Sequence, residues 1–458
     1  MMKKFLALIK ESFENEDGDF TSMSINKAIF MLSLPMVIEM FFEAMFALAD
    51  AFFVSRYVGV EGVATVGLTE SVMTIIYSIA WGISAAATAI VARRTGEKDF
   101  TAASDATIQV IIVSTVVGLL LGIPCYFASG EILALLGADE ALIQKGIWYA
   151  KLEFISSPVV ILLFSLSGAL RGAGKANIAM KAVIFANIIN IGLDFLFVAE
   201  LDYGVKGAAL ATIIGRTSGV CYQLYYLLDF SKLRVLVKIF KPDMDIIKNI
   251  VKISSGSAGQ FLIQSTSWIF LVMILAAYGS EVIAGYTIAI RIIIFAILPS
   301  WGLANAGATL LGQNMGANKI EQGIQSVWKI SWINAGFMGS IAVIFYVWSE
   351  PLIMIFETKA VVVHVGARCL EILALGYIIF GVGMVVVQAI NGAGDTFVPT
   401  LFNVICYWII EIPLAYFLAK TLDMQFTGVF YSIIIAESIW TILGVIYFRT
   451  GKWQKTVV

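Results

Sequence analysis

Six side chains in otherwise apolar surroundings have types and spacings that could do chemistry. They are Glu39, Glu43 and Asp50 within Leu34 to Tyr57, and Asn187, Asn190 and Asp194 within NIINIGLDFLF. The acids follow i, i+4, i+11, so a helix would bring them within roughly 40° of one another on one stripe. Pro35, Phe42, Phe46 and Phe53 fall on or beside it. The second trio, at i, i+3, i+7, makes one polar face on an apolar helix. A carboxylate at mid-bilayer depth costs on the order of 2.5–3.5 kcal/mol, so such groups face protein or a water-filled cavity rather than lipid. Carboxylate and amide oxygens hold protons or small hard cations. Asp50 and Asp194, if the fold brings them together, would repel when both are charged, and the pair would take up a proton or a cation. Ser167 and Thr212 are the nearby polar candidates, and two acids satisfied by neighbouring amides are the structural alternative.

The elements that must position these groups are membrane helices. The chain has 458 residues, 60% hydrophobic and 14% charged, a composition foreign to soluble proteins. Twelve spans are expected at about 27–55, 62–91, 102–127, 142–168, 177–200, 207–229, 247–277, 282–311, 323–348, 363–390, 398–420 and 427–449. Arg93, Arg94, Lys98, Arg171, Lys175, Lys232, Arg234, Lys238, Lys241 and Lys319 cluster in connections on one side, which places both termini in the cytoplasm. Residues 1–26 read as a short interfacial helix followed by an acidic linker. Cys125, Cys221, Cys369 and Cys406 stand singly in apolar runs, and no Ser/His/Asp set, nucleophile elbow, phosphate loop or metal-ligand spacing occurs. No enzyme is recognisable, no cofactor is expected, and nothing suggests a nucleic-acid partner.

The second half repeats the first at an offset of about 220–221. SGALRGAGK (167–175) lies over VQAINGAGD (387–395), and RRTGEKD (93–99) over QNMGANK (313–319). Six spans return a half to the same side, so the halves are parallel repeats, an arrangement known in secondary transporters. Glu39 and Glu43 correspond to Gln260 and Gln264, Asp50 to Leu271, and Glu70 to Arg291. Ionisable groups are concentrated in the first half, as expected if that half handles a coupling ion.

The chain resembles the multidrug and toxic compound extrusion (MATE) family over nearly its whole length. The likeness rests on LPM (34–36), ALADAFFVSRYVG (47–59), ARRTGEKD (92–99), ALRGAGK (169–175), NIINIGLD (187–194), KGAALAT (206–212), GQNMGA (312–317) and AINGAGD (389–395). The first-helix Asp and the fifth-helix Asn-x-x-x-Asp look like the DinF-like branch. The resemblance implies an antiporter in which inward movement of H+ or Na+ drives export. It assigns Asp50 and Asp194 as ion-coupling carboxylates, with Asn190 and Thr212 as oxygen ligands, and Pro35 as a hinge. A sodium ion would lie among Asp50, Asn190, Asp194 and Thr212. The family's fourth-helix Asn is Ser167 here, which weakens a fixed sodium site. The NorM-like branch has an acid where Gln264 stands and another near Phe380. Both are missing, so no cation site is expected in the second half.

The expectation is therefore an all-α integral membrane protein of twelve helices in two bundles, 27–229 and 247–449. A connector (230–246) joins them, and a tail (450–458) follows. It would sit in the inner membrane as a monomer, in contact with lipid. It would export amphipathic, mostly cationic organic compounds by alternating access, with H+ slightly preferred over Na+ as the driving ion. The ion site would comprise Asp50, Asp194, Asn190, Thr212, Ser167 and Asn187, and the substrate cavity Glu39, Glu43, Phe42, Phe46, Gln260 and Gln264. The alternative is a flippase for a lipid-linked or polysaccharide intermediate, which would need a cationic cavity built from Arg216, Arg291 and Arg368.

Overall fold

A computed structural model of the chain describes residues 2–14, 19–58, 60–229 and 242–456, apart from some side chains, among them that of Asp50. Most of the expected connector and part of the acidic linker lie outside the described residues. The described residues form helices joined by short turns, and no strands. A short helix, α1 (Met2–Glu14), precedes the first half. The half comprises α2 (Ile25–Phe53), α3 (Val60–Gly96), α4 (Phe100–Phe127), the short α5 (Ser129–Leu135), α6 (Glu140–Ile155), α7 (Ser157–Gly172), α8 (Ala176–Asp194) and α9 (Gly204–Asp229). The second half repeats that order. It has α10 (Met244–Ala276), α11 (Ser280–Gly316), α12 (Ile320–Val347), the short α13 (Ser349–Met354), α14 (Ala360–Ala374), α15 (Tyr377–Gly392), α16 (Phe397–Asn403), α17 (Ile412–Tyr416) and α18 (Gln425–Thr450).

Among the described residues, 9 helices are long and apolar enough to cross a membrane, and 11 when two bent pairs each count as one span. The pairs are α6–α7, bent by 41°, and α14–α15, bent by 61°. The twelfth crossing is α9, kept less apolar by Lys206, Arg216 and several Gly, Ser and Thr residues. Backbone left unpaired in lipid is costly, so helices are the only spanning form open to such a chain. The sharp bends fall at Ser156 with Pro158 and at Leu375–Gly376, and α2 continues through Pro35 as one helix. One expectation needs correction. Arg93 and Arg94 lie on α3 itself, because α3 continues to Gly96, just as α11 continues to Gly316.

The repeat is visible in the backbone. Left-handed residues recur at matching positions: Lys98 (φ 61°) with Asn318 (56°), Gly174 (78°) with Gly394 (93°), and Asp202 (52°) with Asp423 (53°). Each half has its own apolar core, but the first helix of each half enters the other. Leu32 and Met36 of α2 belong to the second half's core, and Ile250 and Ile253 of α10 to the first half's. Two pairs of glycines allow this exchange. A Cβ on Gly82 would lie 2.6 Å from the Ser254 carbonyl oxygen of α10, and one on Gly302 2.6 Å from the Met36 carbonyl oxygen of α2. Further along, a Cβ on Gly96 would strike the Gln313 carbonyl, and one on Gly316 the Arg93 carbonyl. Only a residue without a side chain fits such backbone contacts.

At that same end Gln313 Nε2 donates to the Gly172 carbonyl (2.9 Å), Arg93 Nη2 to the Thr456 carbonyl (2.9 Å) and Lys319 Nζ to the Thr21 carbonyl (2.7 Å). These bonds tie the halves together where α3 and α11 end. Gly302→Ala should destabilise the protein by about 1–3 kcal/mol, the usual cost of overpacking. Gly192→Ala, with nothing within 4 Å of the added methyl, should be neutral. Thermal unfolding of the two variants in detergent checks the contrast.

Candidate functional site

Between the halves lies a cavity with about 610 Å³ of empty space, counting its open mouth. Its wall takes Met40 and Glu43 from α2, Trp81, Ser84 and Thr88 from α3, Phe164 and Arg171 from α7, Phe261 from α10, Trp301 and Asn305 from α11, and Gln388 from α15. Trp81 and Trp301 stand at equivalent positions of the repeat, with ring centroids 6.0 Å apart. Phe261 completes the cluster, 4.8 Å from Trp81 and stacked on Trp301 at 5.3 Å. Aromatic faces carry negative potential and attract cations. Glu43 supplies the acid of this wall, in the field of Arg216 and Arg171.

Glu39 does not line this cavity. It lies behind the wall, 2% exposed, with Oε1 2.7 Å from Arg171 Nη1. Arg171 Nη2 donates to Ser84 Oγ (2.9 Å), whose hydroxyl donates to the Phe164 carbonyl (2.7 Å). Arg171 was counted above among the membrane-flanking cations. It is buried instead, because α7 extends to Gly172 and its last turn faces inward. A buried ion pair linking α2 to α7 is a structural device with one face on the cavity.

The ion-coupling candidates occupy the first half. Asp194, Asn190, Asn187, Ser167 and Thr212 are all buried. Asn190 Nδ2 points at Thr212 Oγ1 across a long 3.5 Å, and Asn190 Oδ1 has no hydrogen-bond partner. Asn187 Nδ2 donates to the Phe42 carbonyl of α2 at 2.6 Å, tying the polar face of α8 to the acidic helix. Ser167 Oγ accepts from Gln223 Nε2 (2.8 Å), a fully buried amide on α9 that sequence reasoning missed. The side chain of Asp50 lies outside the described residues.

A neighbouring pocket of about 310 Å³ is lined by Phe46, Thr69, Glu70, Met73, Tyr77, Tyr149, Glu153, Thr212 and Arg216. Phe46 thus faces this pocket rather than the central cavity, with the Arg216 guanidinium over its ring at 4.8 Å and over Tyr77 at 5.3 Å. Arg216 shares this pocket with Glu153 and lies in the electrostatic field of Glu43.

In the second half a third pocket, about 500 Å³ with its mouth, holds Gln260 and Gln264 and shares Phe261, Trp301 and Gln388 with the central cavity. Gln260 and Asn391 exchange amide hydrogen bonds of 3.0 and 3.1 Å. Gln264 Nε2 lies 3.5 Å from Tyr407 Oη. Of the remaining arginines, Arg368 pairs with Glu371 at 2.8 Å, and Arg291 is exposed. The Trp81–Trp301 pair was missed because tryptophan in an apolar helix reads as packing. Its recurrence at the repeat offset was the available signal.

The MatE family model matches the chain twice, over residues 35–196 and 257–417, once in each half. The chain belongs to the MatE family. A probable multidrug resistance protein of Bacillus subtilis, YoeA, is 22% identical over 94% of this chain and 96% of its own length. The multidrug export protein MepA of Staphylococcus aureus is 25% identical over 92% of each chain. A solved multidrug resistance MATE transporter in an outward-facing conformation superposes with a TM-score of 0.91 at 25% identity, over 97% of this chain and all of that one. That solved transporter shares the helical fold of this chain.

The Glu39–Arg171 pair of this MatE chain yields a stability prediction. Removing one partner of a buried pair leaves the other uncompensated and costs about 3–5 kcal/mol, whereas replacing both with apolar residues of similar volume is far milder. Glu39→Ala and Arg171→Ala should each lower the unfolding temperature more than Glu39→Met combined with Arg171→Met. Fluorescence-monitored melting of the three variants checks the order.

Proposed function

We propose that this MatE protein is a cation-coupled multidrug efflux antiporter that exports amphipathic, mostly cationic organic compounds. The observation that carries the reading is the central cavity, where Trp81, Trp301 and Phe261 converge beside Glu43. An aromatic cation would stack on the rings and meet the carboxylate. The names of the relatives from Bacillus subtilis and Staphylococcus aureus support multidrug export. In this reading both termini are cytoplasmic and the protein sits in the inner membrane as a monomer surrounded by lipid. The end closed by Gly96, Gly316 and the Gln313–Gly172 bond then faces the cytoplasm.

Export follows from differential affinity, without any covalent step. H+, or alternatively Na+, would bind at Asp50 and Asp194 with Asn190 and Thr212, as in the DinF-like branch, and favour one facing state. Cargo would favour the other, and by linkage each ligand weakens the other's hold. The Asn187 bond to the Phe42 carbonyl supports this coupling, because it joins the ion-bearing helix to α2 one residue before Glu43. Pro35 would bend α2 between its two anchorages.

A flippase for a phosphate-bearing lipid intermediate would need a cationic cavity. Arg171 is the arginine among the described residues of the wall, and Glu39 already meets its charge. The cationic-cargo reading is therefore preferred.

Efflux of a cationic dye from vesicles, under separately imposed pH and sodium gradients, tests the proposal. The parent should export the dye under one gradient, and Asp50→Asn should lose the coupled component. Full coupled efflux in Asp50→Asn would sink the ion assignment. Glu43→Gln should weaken cationic dye by about tenfold, or about 1.4 kcal/mol, while leaving an uncharged dye unaffected.

A further inference from the structure

We propose that Asn305 presents a fixed hydrogen-bond donor to the central cavity, so that the preferred cargo carries an acceptor oxygen as well as its aromatic cation. The proposal rests on the cargo reading of that cavity and narrows its substrate class. Glu43 and the rings account for a positive charge and a flat apolar body. The amides of the second half add a third requirement.

Asn305 is the last of four amide side chains linked in series from a backbone carbonyl. Gln260 Nε2 donates to the Thr396 carbonyl (3.2 Å) and to Asn391 Oδ1 (3.0 Å). Asn391 Nδ2 donates back to Gln260 Oε1 (3.1 Å) and onward to Gln388 Oε1 (3.2 Å). Gln388 Nε2 donates to Asn305 Oδ1 (3.0 Å). The two ends of an amide are nearly equal in shape, so each of these groups alone could be turned over. The Thr396 carbonyl removes that freedom, because a carbonyl only accepts. Turning Gln260 over would set two oxygens against each other at that contact. With Gln260 fixed, its reciprocal bonds fix Asn391, Asn391 fixes Gln388, and Gln388 fixes Asn305. The Asn305 oxygen is thereby engaged, and its Nδ2 donates to no group among the described residues.

The series runs from the interior to the cavity. Gln260 and Asn391 are buried, whereas Gln388 and Asn305 are partly exposed and both stand in the cavity wall. Linked hydrogen bonds polarise one another, so the terminal N–H is a better donor than that of an isolated amide. A preorganised donor in a site that excludes water favours cargo able to accept from it and penalises cargo that leaves it unmet. A carbonyl, carboxylate or ether oxygen would serve.

The repeat separates this arrangement from scaffolding. Gln260 and Asn391 stand where the first half has Glu39 and Arg171, so both halves hold a polar pair at this point. Gln388 and Asn305 stand where the first half has Gly168 and Ala85. The first half assembles the same helices without either amide, and Ala85 offers the same cavity only a methyl group. The two added amides carry the polarity of a scaffold pair out to the cargo space.

Equilibrium dialysis of the purified full-length protein in nanodiscs, with protein-free nanodiscs as the blank, tests the proposal. The probes are tetraphenylphosphonium and (4-acetylphenyl)triphenylphosphonium, which differ by one acetyl group, and the uncharged pair biphenyl and 4-acetylbiphenyl. The parent should bind each acetyl compound about three- to tenfold more tightly than its unsubstituted partner, the usual worth of one hydrogen bond. Asn305→Leu, similar in size, should bring that ratio to about one. Asn391→Asp should do so too or invert it. A carboxylate only accepts, so Gln388 would donate to it and turn its oxygen toward Asn305, whose own oxygen would then meet the cavity. A purely structural role for these amides would leave the ratio unchanged. No acetyl preference in the parent, or a preference that survives in either variant, overturns the proposal. The charged and uncharged pairs keep this result apart from the cargo reading. Phosphonium ions that bind no better than the biphenyls would count against cationic cargo, while the acetyl ratio of the uncharged pair would still decide the role of Asn305.

Discussion

Everything in this structure depends on four places where helices meet backbone to backbone. Gly82 and Gly302 let the first helix of each half pass into the other half's core, and Gly96 and Gly316 let the two second helices close against each other's carbonyls. As a result α2 belongs to neither half alone. Its early turns, with Leu32 and Met36, pack in the second half's core. Within the next two turns Glu39 is held by Arg171 of α7, and the Phe42 carbonyl by Asn187 of α8. Relative movement of the halves therefore loads α2 between Met36 and Glu39. Pro35 stands directly before this stretch, and its missing N–H removes the helical bond to the Met31 carbonyl in the turn just before it.

The same backbone carries different charges in its two halves. On the first-half side, Glu39 is tied to Arg171, and Glu43, Glu70 and Glu153 surround Arg216. On the second-half side, amides replace acids along α10, and Gln260 and Asn391 satisfy each other. Glu371 keeps Arg368, whereas Glu411 and Glu437 have no ion pair among the described residues. A buried charge with a tethered partner is part of the scaffold, and a buried charge without one depends on what the solution supplies.

Much of this architecture could be read from the chain, and the failures have physical causes. Eleven of the twelve spans were legible as long apolar runs, and α9 as a less apolar one, and their helices differ from expectation mainly by a few terminal residues. The breaks at Ser156 and at Leu375–Gly376 were not, because the apolar run continues across them and only the packing shows the bend. The acidic stripe of α2 was legible from spacing alone. Its division was not, since spacing places Glu39 and Glu43 on one face without saying that Arg171 waits beside the first. Arg171 itself misled, because a cation near a span's end is usually at the interface, and one more helical turn in α7 put it inside. The polar face of α8 was legible as a pattern, but its partners Gln223 and Phe42 come from other helices and leave no local signal.

The placement of the three pockets separates two kinds of site. The central cavity is shared: Glu43 and Trp81 come from one half, Phe261 and Trp301 from the other, and the tryptophans occupy equivalent positions across the pseudo-two-fold. A site assembled from two bodies is remade whenever those bodies shift, because its rings and its acid no longer keep their distances. The groups around Asn190 and Arg216 come from the first half, with Phe46 of α2 added to the Arg216 pocket. Ligand affinity can change with facing state only where the site itself changes. In the proposed reading the shared cavity is therefore the place for cargo. In the proposed cycle an ion held within one half would sense the facing state through the helices that cross between halves. Of these, α2 is hydrogen-bonded to α7 and α8 and packed in the second half's core, and α10 is packed in the first half's.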